Sequence, residues 1–71
     1  MTNKFPERLK ELRIEKGLIQ KDLAKATGLS QSAIAQWEGK KRVPNADAII
    51  VLARYFGVTA DYLLGLENFT D

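Results

Sequence analysis

Five glycines divide this chain into short segments, and their positions limit the length of any element between them. They are Gly17, Gly28, Gly39, Gly57 and Gly65. Glycine is favoured just after the last residue of a helix, because it enters the left-handed conformation without a steric penalty. Between the glycines apolar residues recur at helical spacing, and no segment shows the sustained alternation of a strand. The pattern predicts a compact all-α fold of short helices.

Residues that typically start and stop helices predict five helices. The first helix is predicted from Pro6 to Lys16 and the second from Gln20 to Thr27. Ser30 caps a third helix that ends near Trp37 or Glu38. Asn45 caps the fourth, and Thr59 caps a short fifth. The fourth helix has the clearest amphipathic pattern, with an inner face of Ile49, Leu52, Ala53 and Phe56. We also expect Trp37 in the core, because its spacing from Ile34 points inward.

Length and composition exclude several function classes. The 71 residues predict a single domain over 1–71. The chain has no cysteine and no histidine, which removes thiolate and imidazole ligands and most nucleophile–base pairs. We therefore expect no enzyme activity, no cofactor and no metal, and no small-molecule site is evident. The longest apolar run, Ala48 to Ala53, is too short to span a bilayer, and residues 1–4 lack a signal-peptide core. We expect a soluble cytoplasmic protein.

The charges are distributed unevenly along the chain. Residues 1–42 contain ten Lys or Arg and five Asp or Glu, a net charge of +5, whereas residues 43–71 have a net charge of −3. This asymmetry is typical of a protein with one face for a polyanion. Charge alone favours equally a solvated helical surface of mixed charge.

The stretch from about residue 20 to residue 38 has the pattern of a helix-turn-helix. Gly28, Leu29 and Ser30 form a short turn between two short helices, and Ala24 is small enough to let those helices approach closely. The outer side of the third helix lacks charge, although solvent-facing helices usually carry Lys and Glu. Glutamine can pair bidentately with adenine, serine can donate or accept, and an alanine methyl can contact a thymine methyl. We predict that this side contacts DNA bases; its residues are Gln31, Ser32, Ala35 and Gln36.

A set of motifs resembles the phage-repressor/Cro-like (Xre-type) helix-turn-helix domains. The matching residues are Gln20-Lys21-Asp22-Leu23-Ala24, Gly28-Leu29-Ser30, Ile34, Trp37-Glu38, Pro44, Leu52-Ala53, Phe56-Gly57-Val58 and Asp61-Tyr62-Leu63-Leu64. The resemblance covers about residues 5 to 65. It implies a five-helix, lambda-repressor-like bundle that binds double-stranded, pseudo-palindromic operator DNA, usually as a homodimer. Most such proteins repress transcription.

The resemblance also implies roles for individual residues. It places base contacts on Gln31, Ser32, Ala35 and Gln36, phosphate contacts on Gln20, Ser30, Lys40, Lys41, Arg42 and Asn45, and a buried structural ion pair between Arg13 and Glu38. Gln20 would also support the third helix.

Two positions depart from the usual pattern of the family. Ile19 replaces the Ser or Thr that usually caps the second helix, and Lys40 stands where relatives often have glycine. We hypothesise that the uncapped amides after Ile19 bind a DNA phosphate.

We expect the dimer contact near Gly57 to Thr59 and in Leu66 to Phe69, with residues 66–71 as a flexible tail. Phe69 either packs across a partner subunit or is disordered.

The alternative functions are an antitoxin-type DNA-binding autoregulator and a protein-interaction module of the same fold. An interaction module would favour an apolar surface on the third helix, which this chain lacks.

Overall fold

A computed structural model of the chain describes residues 3–66, which fold into five α-helices without a strand. The helices are α1 (Phe5–Glu15), α2 (Gln20–Thr27), α3 (Gln31–Glu38), α4 (Ala46–Phe56) and α5 (Ala60–Leu64). The predicted all-α, five-helix class is confirmed.

The first helix is shifted by one residue from its predicted bounds, Pro6 to Lys16. It begins at Phe5, whose backbone N–H donates to Oδ1 of Asn3 at 2.9 Å. It ends at Glu15, because Gly17 turns into the left-handed region with a φ of 71°. Lys16 is therefore the capping residue rather than part of the helix.

Side-chain caps begin three of the helices as the sequence predicts. Ser30, Asn45 and Thr59 each accept the backbone N–H of the residue three positions later, at 3.1, 2.8 and 2.9 Å. The second helix lacks such a cap, because Ile19 has no acceptor. Its only local substitute is Asp22, whose carboxylate accepts the Ile19 N–H at 3.3 Å. The beginning of α2 is thus the least capped of these four.

Every helix contributes at least one completely buried side chain to a common core. Burying each such side chain stabilises the fold by about 1.5–3 kcal/mol. Trp37 is 5% exposed, and its ring packs edge-on against Phe5 with centroids 6.0 Å apart. The predicted core position of Trp37 is therefore confirmed. The completely buried large side chains are Phe5, Leu9, Leu23, Ile34, Leu52 and Leu63.

The buried face of α4 differs in part from the predicted one. Leu52 and Ala53 are buried as expected, but Ile49 and Phe56 are only partly buried. Ala48 is 4% exposed and takes a core position that the sequence pattern did not assign. The apolar stripe of a globular helix is broad, so spacing alone does not fix which edge of the stripe lies deepest.

The two ends of the chain segment are joined by contacts between α1 and α5. The Arg8 guanidinium donates to the carbonyl of Tyr62 at 2.6 Å and stacks 4.2 Å from the centre of its ring. The Lys4 N–H donates to the Leu64 carbonyl at 3.1 Å. These contacts join the first helix to the fifth. Within residues 3–66 no helix has the length and apolarity needed to cross a membrane.

Candidate nucleic-acid interface

The turn between α2 and α3 is fixed by backbone and side-chain hydrogen bonds. Gly28 has a φ of 76°, and its N–H donates to the Ala24 carbonyl at 2.8 Å. The Thr27 hydroxyl donates to the Leu23 carbonyl at 2.7 Å and accepts the Leu29 N–H at 3.3 Å. These bonds pair backbone carbonyls at the end of α2 and backbone N–H groups of the turn. The direction of α3 relative to α2 is therefore set by local contacts.

Arg13 and Glu38 form a two-point ion pair between α1 and α3. Nε and Nη2 of Arg13 donate to Oε2 and Oε1 of Glu38 at 2.8 and 2.9 Å, and the side chains are 11% and 5% exposed. Nη1 of Arg13 donates to the Leu18 carbonyl at 2.8 Å. The hydrogen bond to Glu38 raises the pKa of Arg13 above its ordinary value, so this residue stays charged. The structure thus contains the ion pair that the resemblance implied.

Gln20 joins the same cluster from the first residue of α2. Its Nε2 donates to Oε1 of Glu38 at 3.1 Å. This bond supports α3, which is one of the two roles that the resemblance implied. The other role, contact with a phosphate, stays a prediction; the amide has a second N–H that the bond to Glu38 does not use.

The predicted base-contacting residues share one outward side of α3, which we call the recognition surface (Gln31, Ser32, Ala35 and Gln36). The first three are exposed and Gln36 is partly exposed. Nε2 of Gln36 donates to Oγ of Ser32 at 3.3 Å. A hydrogen bond between such side chains stabilises little and can be exchanged for one to another polar group. The recognition surface is therefore accessible and uncharged, and its contacts with bases stay predictions.

The segment that follows α3, residues 39–45, is the basic loop, and its first turn has a specific backbone geometry. The N–H of Lys40 donates to the Trp37 carbonyl at 3.1 Å, and that of Lys41 donates to the Gln36 carbonyl at 2.8 Å. This pair of bonds is the Schellman arrangement, which normally places glycine in the left-handed position. Here the left-handed residue is Lys40, with a φ of 62°, while Gly39 has a φ of −83°. The loop therefore follows the path usual after a helix despite the missing glycine.

The three cations of the basic loop are exposed but differ in their contacts. Nζ of Lys40 lies 3.3 Å from Oε2 of Glu7 on α1, while Lys41 and Arg42 are exposed without such a carboxylate among residues 3–66. The pKa of Glu7 lies below its ordinary value, because its own backbone N–H and then Lys40 donate to the carboxylate. Sequence analysis did not identify Glu7, since only the packing of α1 against α3 brings it to this loop.

A cavity of about 300 Å³ lies between the beginnings of α3 and α4. Ala33, Trp37 and Ala48 contribute apolar surface, and Arg42 and Asn45 contribute polar groups. Nε1 of Trp37 is buried without a hydrogen-bond partner among the described residues. Ser30 lines it as well, so three predicted phosphate-contacting side chains share one concave surface beside α3.

The sequence of the chain is similar to those of known helix-turn-helix proteins. A family model described as "Helix-turn-helix" matches residues 9–63. The chain is 39% identical over 64 residues to the HTH-type transcriptional activator BcrR of Enterococcus faecalis, covering 90% of this chain and 31% of that protein. The chain spans less than two thirds of the length of such curated relatives, 60% in the case of the Bacillus subtilis regulator YobD.

Two solved structures share the fold. The restriction-modification controller protein C.AhdI from Aeromonas hydrophila has a TM-score of 0.76 and 37% identity, covering 84% of this chain and 91% of that chain. The P22 c2 repressor protein, solved in complex with synthetic operator 9T, has a TM-score of 0.80 and 32% identity, covering 89% and 96% of the two chains.

Proposed function

Because this chain belongs to the Xre-like helix-turn-helix family, we propose that it binds double-stranded DNA sequence-specifically and represses transcription. The observation that carries the proposal is the uncharged, accessible recognition surface on α3, followed directly by the basic loop. Base contacts specify a sequence and phosphate contacts position the protein, so these two surfaces have complementary roles. The proposal includes a cytoplasmic location, since the protein must reach the DNA it regulates.

The recognition surface has dimensions and chemistry that suit the major groove. An α-helix with its side chains is about 10–12 Å in diameter, and the major groove is about 12 Å wide, so α3 can enter it. Gln31 and Gln36 present amides that can pair with adenine, Ser32 presents a hydroxyl, and the Ala35 methyl can contact a thymine methyl. The Gln36–Ser32 hydrogen bond holds two of these groups together before DNA arrives.

Phosphate contacts in this proposal come from groups on either side of α3. The exposed Lys41 and Arg42 supply charge, and Lys40 adds to it when it is released from Glu7. Oδ1 of Asn45 caps α4, so Nδ2 is the group of this side chain that can donate to a phosphate. Ser30 would donate its hydroxyl hydrogen to a phosphate, and Gln20 would donate the second N–H of its side-chain amide. Each neutralised phosphate steepens the dependence of log affinity on log salt by about 0.9.

A homodimer is the second part of the proposal. One small domain makes few base contacts, and two copies on half-sites about 34 Å apart would double them. The apolar side chain of Leu66, which is 71% exposed, supports the predicted contact at the C-terminal end of the domain, and the connection from Gly57 to Thr59 is the other part of the proposed surface. The predicted contribution of Phe69, like residues 67–71 of the predicted tail, lies outside the described residues.

We propose repression and not activation, because repression requires fewer contacts from this domain. A protein that occupies an operator overlapping a promoter blocks polymerase by occupancy alone, whereas activation needs a further productive contact. The P22 c2 neighbour is a repressor bound to an operator, which supports this choice. A reporter whose promoter contains the selected site should be less active when the protein is present, and higher activity would indicate an activator.

The deciding experiment is selection of bound sites from a random duplex DNA library. We expect enrichment of an inverted repeat with half-site centres about 10 base pairs apart. The variant Gln31→Ala/Gln36→Ala should lose enrichment while retaining salt-sensitive binding, whereas Lys41→Ala should keep the same sequence with lower affinity. Uniform binding without enrichment by the unaltered chain would contradict sequence-specific binding and favour the protein-interaction module.

A further inference from the structure

Lys40 occupies a backbone position that disfavours its own side chain. Its φ of 62° is the left-handed conformation, which is sterically strained for a residue that carries a Cβ. The Schellman hydrogen bonds of Lys40 and Lys41 hold that conformation in place. The Lys40 side chain therefore leaves the backbone in a fixed direction, and in this structure its ammonium meets the Glu7 carboxylate at 3.3 Å.

Glu7 faces the basic loop from the first turn of α1. Its Oε2 lies 3.3 Å from Nζ of Lys40, and both side chains keep about half of their surface exposed to solvent. Among residues 3–66, Lys40 is the one cation of the basic loop that has a carboxylate partner. Glu7 thus adds a negative charge at the edge of the surface that Lys41 and Arg42 make positive.

We propose that Glu7 withholds Lys40 from the DNA backbone and so limits the affinity of this domain for DNA. The inference rests on the proposed function. For Lys40 to bind a phosphate, its ammonium must give up or share its contact with Glu7, and the Glu7 carboxylate repels the same phosphate. Both effects lower affinity without changing base contacts, because neither residue belongs to the recognition surface. Glu7 therefore sets how many loop cations are available for phosphates.

The test compares Glu7→Gln with Glu11→Gln, using a short duplex of arbitrary sequence and the selected operator as probes. Glu11 is exposed and lies one helical turn further along α1, so both variants remove one carboxylate from the same helix. We expect Glu7→Gln to raise affinity about 5-fold more than Glu11→Gln, which corresponds to the upper end for an exposed ion pair. The dependence of log affinity on log salt should steepen by about 0.9 for Glu7→Gln, because one more phosphate is neutralised.

A double-mutant cycle with Lys40→Ala assigns the effect to the pair. In the Lys40→Ala background, Glu7→Gln should raise affinity only as much as Glu11→Gln does. Equal gains from the two Gln variants in the unaltered background would overturn the inference, because they would reflect long-range charge alone. A loss of affinity in Glu7→Gln would overturn it too, since the pair would then position the loop for DNA. If the unaltered chain binds neither probe, the proposed function fails first, and that outcome is distinguishable from both.

Discussion

Nε2 of Gln20 lies 3.1 Å from Oε1 of Glu38, so the first residue of α2 is hydrogen-bonded to the last residue of α3. The same carboxylate accepts two hydrogen bonds from Arg13 of α1. One acidic group therefore connects the three helices that define the helix-turn-helix and its support. The recognition surface lies on the helix whose end this carboxylate holds.

Replacing Glu38 should therefore destabilise the whole fold. Glu38→Gln leaves the Arg13 guanidinium nearly buried without its counter-charge, and breaking such a pair from one side costs about 3–5 kcal/mol. Urea denaturation followed by circular dichroism measures the change. Glu15→Gln is the matched control, because Glu15 is exposed and its substitution should change stability by less than about 0.5 kcal/mol. Similar midpoints for the two variants would show that the ion pair contributes little.

Glycine at position 40 should stabilise the fold. Lys40→Gly removes the left-handed strain of a side-chain-bearing residue, and the gain exceeds the added freedom of the unfolded chain and the loss of an exposed ion pair. We expect about 0.5–1 kcal/mol of added stability, a rise in Tm of several degrees for a domain of this size. Lys41→Gly is the control, since Lys41 has no positive φ and should lose stability. A lower Tm for Lys40→Gly would mean that the contact with Glu7 outweighs the strain.

The local features of this fold were accessible from the sequence because their signals are local. Ser30, Asn45 and Thr59 cap the helices that follow them, as their hydroxyl and amide groups predict. The bounds of α2 and α3 agree with the prediction for the same reason, since Gly28 and the Ser30 cap mark both ends of the turn.

The features that escaped prediction depend on packing between distant segments. The pairing of Glu7 with Lys40 requires α1 to lie beside the end of α3, which no local pattern specifies. Ala48 is similar, because the depth of its burial depends on which neighbours α4 meets. The left-handed conformation at Lys40 was not predicted, because the glycine that would normally adopt it stands one position earlier, at Gly39.

The pKa of Glu7 offers a direct solution test of its contacts. Its own backbone N–H is the larger cause of the lowered pKa, and the hydrogen bond from Lys40 is the next. In Lys40→Ala the pKa should therefore rise but remain below the ordinary value, as followed by NMR titration of the side-chain carboxyl. Because the folded-state pKa is lowered, the contribution of this group to stability is present above its unfolded pKa and is lost as pH falls through the folded value. An unchanged pKa in Lys40→Ala would show that the pair is not populated in solution.

A hydroxyl at position 19 should complete the missing cap of α2. Ile19 is 60% exposed and has the extended backbone of a capping residue, with φ −84° and ψ 167°. Ile19→Ser should stabilise the fold by about 1 kcal/mol, because the hydroxyl accepts an amide that the isoleucine cannot. Thermal denaturation measures this gain in stability, with Ile19→Ala as the control for loss of the apolar side chain. If a phosphate uses these amides, Ile19→Ser should also weaken DNA binding, and unchanged affinity would argue against that hypothesis.

Gln36 provides the sharpest test of the recognition surface. Gln36→Ala should lose about 1–3 kcal/mol of binding at one base pair of the operator and relax the preference there. Its folding stability should change by less than about 0.5 kcal/mol, because only the weak bond to Ser32 is lost. Binding to operators substituted one base pair at a time measures the effect. Lys41→Ala is the control, which should weaken binding to all of these duplexes equally and reduce the salt slope by about 1. If Gln36→Ala behaved like this control, Gln36 would contact the backbone, and base recognition would have to come from Gln31, Ser32 and Ala35.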